Sequence, residues 1–220
     1  MRLRFALATA LTALLGLAVP AAATHRPGHG APGGNNITIA ATPKTVKFGG
    51  SVTLSGKLTG SNNASRPVTI EQDPFPVDTF TNAGTATTNA SGDWTFVHKP
   101  VANTRYRARS GSAESQPEDV MVRPAITLKL SDRTPRVGQR VRFFGRLCPE
   151  HDGVAIALQR RFGKTWRTLR SPVLKDVPDT TCSSYSKRLR VRRDGAYRTR
   201  FLGDADHVAG NSRVRIARVH

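Results

Sequence analysis

The sequence predicts an all-β protein built from two tandem antiparallel β-sandwiches, and three observations carry that prediction. The first is a doubled text. Ile37-x-Ile39 followed by Phe48-Gly49-Gly50-Ser51-Val52-Thr53-Leu54-Ser55-Gly56-Lys57-Leu58 recurs at a constant offset of 89 residues. The second copy reads Ile126-x-Leu128 and Val137-Gly138-Gln139-Arg140-Val141-Arg142-Phe143-Phe144-Gly145-Arg146-Leu147. A gap-free match across two strand-like runs and their turn implies two copies of one unit of roughly 90 residues, an ordinary small-domain size. Second, short runs of alternating apolar and polar residues are separated by Gly, Asn, Ser and Pro, and no window shows helical spacing over three turns. Third, about seven such runs fall in each copy, the strand density of an antiparallel sandwich.

The elements follow in order. Arg2 and Arg4 precede an apolar stretch from Phe5 to Val19, and Ala21-x-Ala23 offers the small residues a signal peptidase requires. Residues 1–23 therefore read as a signal peptide. The run is too short for a membrane span, and no cysteine stands at the cleavage site to take a lipid. With no second hydrophobic segment, the expectation is an exported, soluble chain starting near Thr24, with no membrane span after cleavage. Residues 24–36, rich in Gly, Pro and His, read as a flexible lead-in.

In the first copy, 37–123, strands are expected at 37–41, 50–58, 67–72, 93–98, 104–109 and 118–123. Turn chemistry separates them at Gly60-Ser61-Asn62-Asn63, Asn89-Ala90-Ser91-Gly92 and Gly111-Ser112. In the second copy, 124–220, strands are expected at 126–130, 139–147, 154–162, 165–170, 184–193, 196–202 and 212–219. Phe162-Gly163-Lys164-Thr165 and Arg193-Asp194-Gly195-Ala196 are its hairpin signals. Pro124 marks the joint, with a linker of a residue or two.

The copies differ in what they add to this plan. Cys148 and Cys182, both in the second copy, are the only cysteines, and in an exported chain an even pair most simply forms one disulfide. Residues 24–123 hold 10 Lys+Arg against 7 Asp+Glu, whereas residues 124–220 hold 22 against 8. Such asymmetry is the main functional hint in the sequence.

The chain resembles a tandem of bacterial Ig-like domains, as found in exported proteins of high-GC Gram-positive bacteria. The resemblance rests on Gly49-x-x-Val52-x-Leu54-x-Gly56-x-Leu58, Gly138-x-x-Val141-x-Phe143-x-Gly145-x-Leu147, Ala157-Leu158-Gln159-Arg160 leading to Trp166, and Tyr-Arg-x-Arg at 106–109 and 197–200. It covers 37–219 and implies stalks, spacers and binding modules, since such a fold does not specify one activity. In a sandwich of this type the strands at 139–147 and 184–193 are antiparallel neighbours, so Cys148 and Cys182 meet at one end.

The resemblance also places the arginines. Arg140 and Arg142; Arg188, Arg190 and Arg192; Arg198 and Arg200; and Arg213 and Arg215 each recur at a period of two, so each run points to one face, away from the core. The first two runs belong to one sheet and the last two to the other. The expected charge therefore coats both outer faces instead of forming one groove. That excludes a specific nucleic-acid site, which needs a focused patch. It leaves adhesion to an anionic polymer, because counterion release scales with the charges neutralised. The competing explanation is compositional: Arg outnumbers Lys 26 to 8, as GC-rich codons alone produce, and solvated sheet faces are polar in any case.

Glu150-His151-Asp152 and Asp204-Ala205-Asp206-His207 fall in loops at one end of such a sandwich and have suitable ligand types for a divalent cation. Their spacing matches no established motif and loop Asp residues form turns, so no metal or cofactor is assigned. No nucleophile elbow, Cys–His arrangement, phosphate loop or dinucleotide fingerprint is present. Trp94 and Trp166 are expected to be packing residues. The sequence therefore predicts an exported, noncatalytic structural or interaction module, in the medium or at the cell envelope, with a protein partner. The alternative is an anionic-polymer binder acting through its basic second copy.

Overall fold

The computed structural model describes residues 35–220; the expected signal peptide, 1–23, and nearly all of the expected lead-in, 24–36, lie outside the described residues. Ten strands precede Pro124: β1 (Asn36–Ile37), β2 (Ala40–Thr42), β3 (Thr45–Lys47), β4 (Val52–Thr59), β5 (Pro67–Pro74), β6 (Thr81–Thr87), β7 (Asp93–His98), β8 (Thr104–Ser110), β9 (Ala113–Glu114) and β10 (Glu118–Arg123). Nine follow it: β11 (Ala125–Ile126), β12 (Lys129–Leu130), β13 (Gln139–Cys148), β14 (Ala157–Phe162), β15 (Thr165–Arg170), β16 (Ser183–Val191), β17 (Gly195–Phe201), β18 (Gly210–Asn211) and β19 (Arg215–Ala217). Among the described residues there is no helix, and none long and apolar enough to cross a membrane.

Each half pairs two sheets around its own core. In the first half β4 bonds β1 and β2 on one edge and β7 on the other, while the second sheet runs β3-β10-β8-β5-β6. Every pairing there is antiparallel except β3 with β10. In the second half β13 bonds β11 and β12 on one edge and β16 on the other, against a sheet β15-β14-β17 completed by β18 and β19. Alternation sends Val52, Leu54 and Leu58 of β4 inward against Val68, Ile70, Tyr106, Val120 and Val122. Val141, Phe143 and Leu147 of β13 meet Ile156, Leu158, Tyr197 and Phe201 in the same way. Trp94 is buried in the first core, as expected of a packing residue.

Two departures from the expected strands have simple causes. The runs at 37–41 and 126–130 are each broken into two short strands, β1 and β2, β11 and β12, on the same edge of the long strand. Strand β6 was not expected because Thr81-Asn82-Ala83-Gly84-Thr85-Ala86-Thr87 has no large apolar residue. It pairs with β5 across a bulge, and the Phe96 ring lies over Gly84, supplying from β7 the apolar mass that β6 lacks.

The repeated glycines have two separate purposes. Gly49 and Gly138 adopt φ of 83° and 79° at the third position of the turns closed by Gly50 N–H to Lys47 O and Gln139 N–H to Arg136 O. A residue there needs positive φ, as in a type II turn. Gly56 and Gly145 are needed for space. A Cβ at Gly56 would overlap the Thr38 carbonyl and the Trp94 ring; one at Gly145 would overlap the Thr127 carbonyl and the Tyr185 hydroxyl. Their absence lets Thr38 exchange backbone and side-chain bonds with Lys57, and Thr127 with Arg146.

Cys148 and Cys182 form the disulfide, with Cα atoms 4.3 Å apart and a sequence separation of 34. The bond continues the β13–β16 ladder one step beyond Leu147 opposite Ser183. Closing a loop of this length contributes about 3–4 kcal/mol on the chain-entropy account. Substituting both cysteines by Ser is expected to lower the second half's unfolding free energy by about that amount, read by denaturant titration. Gly145→Ala should cost about 3 kcal/mol through overpacking, whereas Gly138→Ala, which meets no neighbour within 4 Å, should cost only the ~1–2 kcal/mol of a left-handed residue.

Candidate functional site

The basic residues of the two halves are in different electrostatic circumstances. In the first half Arg107 and Arg109 each pair with Glu71 and Glu114, Arg105 pairs with Asp119, Lys44 with Glu118 and Lys57 with Asp93. Among the described residues after Pro124, no Lys or Arg has a carboxylate within ion-pair distance; the one such contact there is between His151 and Asp204. Matching registers show the change. Glu71 stands opposite Arg107 on β5 and β8, and at the equivalent place on β14 and β17 Gln159 stands opposite Arg198, accepting from its Nε at 2.9 Å. The second copy retains the arginine and replaces its carboxylate by an amide. Burial and then the neighbouring Arg200 pull the Arg198 guanidinium below its usual value.

Within the β13–β16 ladder Arg140 faces Arg190 and Arg142 faces Arg188. Like charges directly opposed across a ladder are destabilising, yet two such pairs lie side by side. Three connected depressions follow from them. A groove of about 860 Å³ over β13 and β16, bordered by the segment at 172–175, is lined by Lys129, Arg142, Arg146, Lys175 and Lys187. Its Phe144 ring lies 4.3 Å from the Arg142 guanidinium. A cleft of about 780 Å³ is lined by Arg140, Arg160, Arg170, Arg188, Arg190, Arg192 and Arg193 with Phe162 and Tyr197. A shallow saddle joins the two, sharing Arg142 with the groove and Arg140 and Arg188 with the cleft. No acidic residue lines any of the three.

The arginine runs fall on two different sheets, as expected, but those of the β13–β16 sheet also line a groove, which the expectation of an even coat did not include. Arg140, Arg142, Arg188, Arg190 and Arg192 converge on one track. Arg198, Arg200, Arg213 and Arg215 do not line it: Arg198 lies over the Trp166 ring at 4.4 Å, and Arg215 Nε donates to Leu128 O at 2.9 Å. Sequence reasoning missed Arg146, at the end of the alternating run of β13, and Arg160, Arg170, Arg193 and the three lysines, which belong to no alternating run. In the cleft Arg160 lies 5.0 Å from the Phe162 ring and donates through Nη2 to Asp194 O at 2.8 Å, while its buried Nε has no acceptor among the described residues. Burial pushes the Tyr197 phenol up, against the opposing effect of Arg160.

A second cluster lies where the halves meet. The loop before β8 and strand β10 both bond the loop after β17: Asn103 N–H to Asp206 O at 2.7 Å, Asn103 Nδ2 to Ala205 O at 2.9 Å and Val208 N–H to Val122 O at 2.9 Å. Asn103 Oδ1 also accepts from Val122 N–H at 2.9 Å, fastening both elements to one side chain. His207 is 3% exposed and its Nε2 is 2.8 Å from Val101 O. His151, whose side chain is 6% exposed, places Nε2 3.2 Å from Asp204 Oδ2. Of the six loop residues singled out in the sequence, the fold brings these three together. Glu150 and Asp152 instead join Asp176 in an exposed acidic trio, where Asp152 accepts from Ser183. Asp206 contributes its backbone carbonyl to Asn103. Burial pulls the His207 imidazole below its ordinary value; the Val101 carbonyl and the two aspartates oppose that and His151 adds to it.

Comparison with known proteins finds no matching family model and no similar curated protein. The Asn103→Ala variant should lose about 1–3 kcal/mol, because Val122 N–H is left without its acceptor. Scanning calorimetry is expected to show one cooperative transition for the parent chain and two partly separated ones for the variant.

Proposed function

We propose that the protein is an exported, noncatalytic tandem of Ig-like domains, 37–123 and 124–220, whose second domain holds an anionic polymer at or near the cell envelope. The observation that supports this is the continuous basic track over β13 and β16, which no carboxylate lines. Unpaired, opposed arginines cost the isolated sheet stability, and an anionic chain laid along them removes that repulsion while releasing its own counterions. The open, elongated form suits a polymer better than a small anion, which an enclosed pocket would hold. Teichoic-type polymer, acidic polysaccharide and extracellular DNA share the required repeating charge. Phe144 and Phe162, each beside a guanidinium, offer flat surfaces without reading a sequence of bases. Export and the noncatalytic reading rest on the leader-like residues 1–23 and on the motif content of the chain.

Retention of the secreted chain on immobilised heparin, with DNA and purified envelope polymer in parallel, tests this. The triple variant Arg140→Ala/Arg188→Ala/Arg190→Ala is compared with Arg200→Ala/Arg213→Ala/Arg218→Ala, which removes equal charge outside the track. The track variant should flatten the slope of log Kobs against log salt by about 2–3, since each phosphate-like contact contributes about 0.7–0.9. The other variant should leave it nearly unchanged. Equal losses in both would make the charge a uniform coat and favour the reading as a plain structural spacer, to which the hydrogen-bonded joint is also suited.

A further inference from the structure

The joint between the halves contains two imidazoles with an arrangement that ordinary packing does not account for. His151 Nδ1 lies 2.9 Å from Pro149 O, and His207 Nε2 lies 2.8 Å from Val101 O. A carbonyl only accepts, so each of those nitrogens carries the proton. In the neutral rings the lone pairs are then on His151 Nε2 and His207 Nδ1. These two atoms are buried and have no hydrogen-bond partner among the described residues. Asp204 Oδ2 lies 3.2 Å from the first of them, while Asp204 Oδ1 is occupied in accepting from His207 N–H at 2.8 Å. Two nitrogen lone pairs and a carboxylate oxygen therefore face one another without a donor between them.

A proton resolves this only in part. Placed on His151 Nε2 it pairs that ring with Asp204 and leaves His207 Nδ1 buried and unsatisfied. Placed on both rings it creates two imidazolium ions with centroids 4.9 Å apart. A single divalent cation satisfies all three groups together. The geometry points to a site for a divalent first-row transition metal of the Zn²⁺ type, ligated by His151 Nε2, His207 Nδ1 and the Asp204 carboxylate. Each of the three residues offers a ligand atom within 4.8 Å of those of the other two. A tetrahedral site with bonds near 2.0–2.1 Å places donors about 3.3 Å apart, so the His151–Asp204 separation already matches and the remaining approach is a small side-chain adjustment.

The surroundings are those of a metal site. Each ligand imidazole is oriented by a backbone carbonyl on its far nitrogen, the usual arrangement around a bound histidine. The Phe201 ring meets His151 edge-on at 4.8 Å and closes one side with apolar surface. The His151 backbone is held by Ser183 Oγ at 2.7 Å. Because His207 Nε2–H grips Val101 of the first half, an ion here would tie the loop at 149–153 to the loop at 203–209 and brace the joint. This site is separate from the basic track and does not depend on it.

Isothermal titration of Zn²⁺ into the chelator-treated full chain tests the assignment, with Co²⁺ absorption as the coordination probe. One equivalent should bind, Co²⁺ should give the intense visible bands of tetrahedral coordination, and a hundredfold excess over Kd should raise Tm by about 5–10 °C. Asp204→Asn, which keeps the Oδ1 acceptor, and His207→Ala should each weaken binding at least tenfold, with circular dichroism confirming that they fold. Zn²⁺ affinity unchanged in both folded variants would place binding elsewhere in the chain and overturn the site. Absence of any saturable Zn²⁺ binding would overturn it too, leaving a proton shared between His151 and Asp204.

Discussion

In each half the link between two short edge strands passes a long strand so closely that one residue of the long strand has no room for a side chain. Thr38 approaches at Gly56, and Thr127 at Gly145. That approach permits the reciprocal bonds between Thr38 and Lys57 and between Thr127 and Arg146. It also brings Ile37 and Ile126 over the end of each core. In the second half the Tyr185 hydroxyl, between Thr127 O and Thr199 Oγ1 at 2.6 Å each, links this contact to the opposite sheet. The repeated Gly-x-Leu is thus a statement about backbone proximity, and the position of everything hung on β4 and β13 follows from it.

Upon that common frame the two copies treat their charges in opposite ways. The first closes Arg105, Arg107 and Arg109 of β8 into ion pairs; the second exposes the arginines of β13 and β16 without a carboxylate partner. Exposed ion pairs contribute little to stability, so the difference hardly bears on whether either half folds. It bears on what the surface attracts. A face of opposed, unpartnered guanidinium groups concentrates positive potential along a line, and the scaffold tolerates it because the disulfide and the apolar core hold the ladder together.

Much of the fold was legible because strands declare themselves locally. Alternation at period two identified most long strands, Gly-Asn-Ser turns delimited them, and the 89-residue repeat transferred each assignment from one copy to the other. Strand β6 was illegible because its stabilising mass, Phe96, belongs to β7. The candidate site was read less well. Runs such as Arg188-x-Arg190-x-Arg192 were visible, but periodicity places a side chain on a face and says nothing of which faces share a depression. Arg160, Arg170 and Arg193 come to the cleft from β14, β15 and the turn after β16, so no single window reports them.

By itself, then, the sequence determined the all-β composition, the doubling, the cysteine pair and the concentration of charge in the second copy. All of these depend on residue types and short-range spacing. Tertiary structure decided which arginines share a track, which of the loop residues meet, and that His151 and His207 come together with Asp204. Those outcomes depend on how two loops and two sheets approach in space, and on backbone carbonyls of Pro149 and Val101 that orient the rings. A carbonyl is present at every residue, so no residue type in the sequence announces where one will be used.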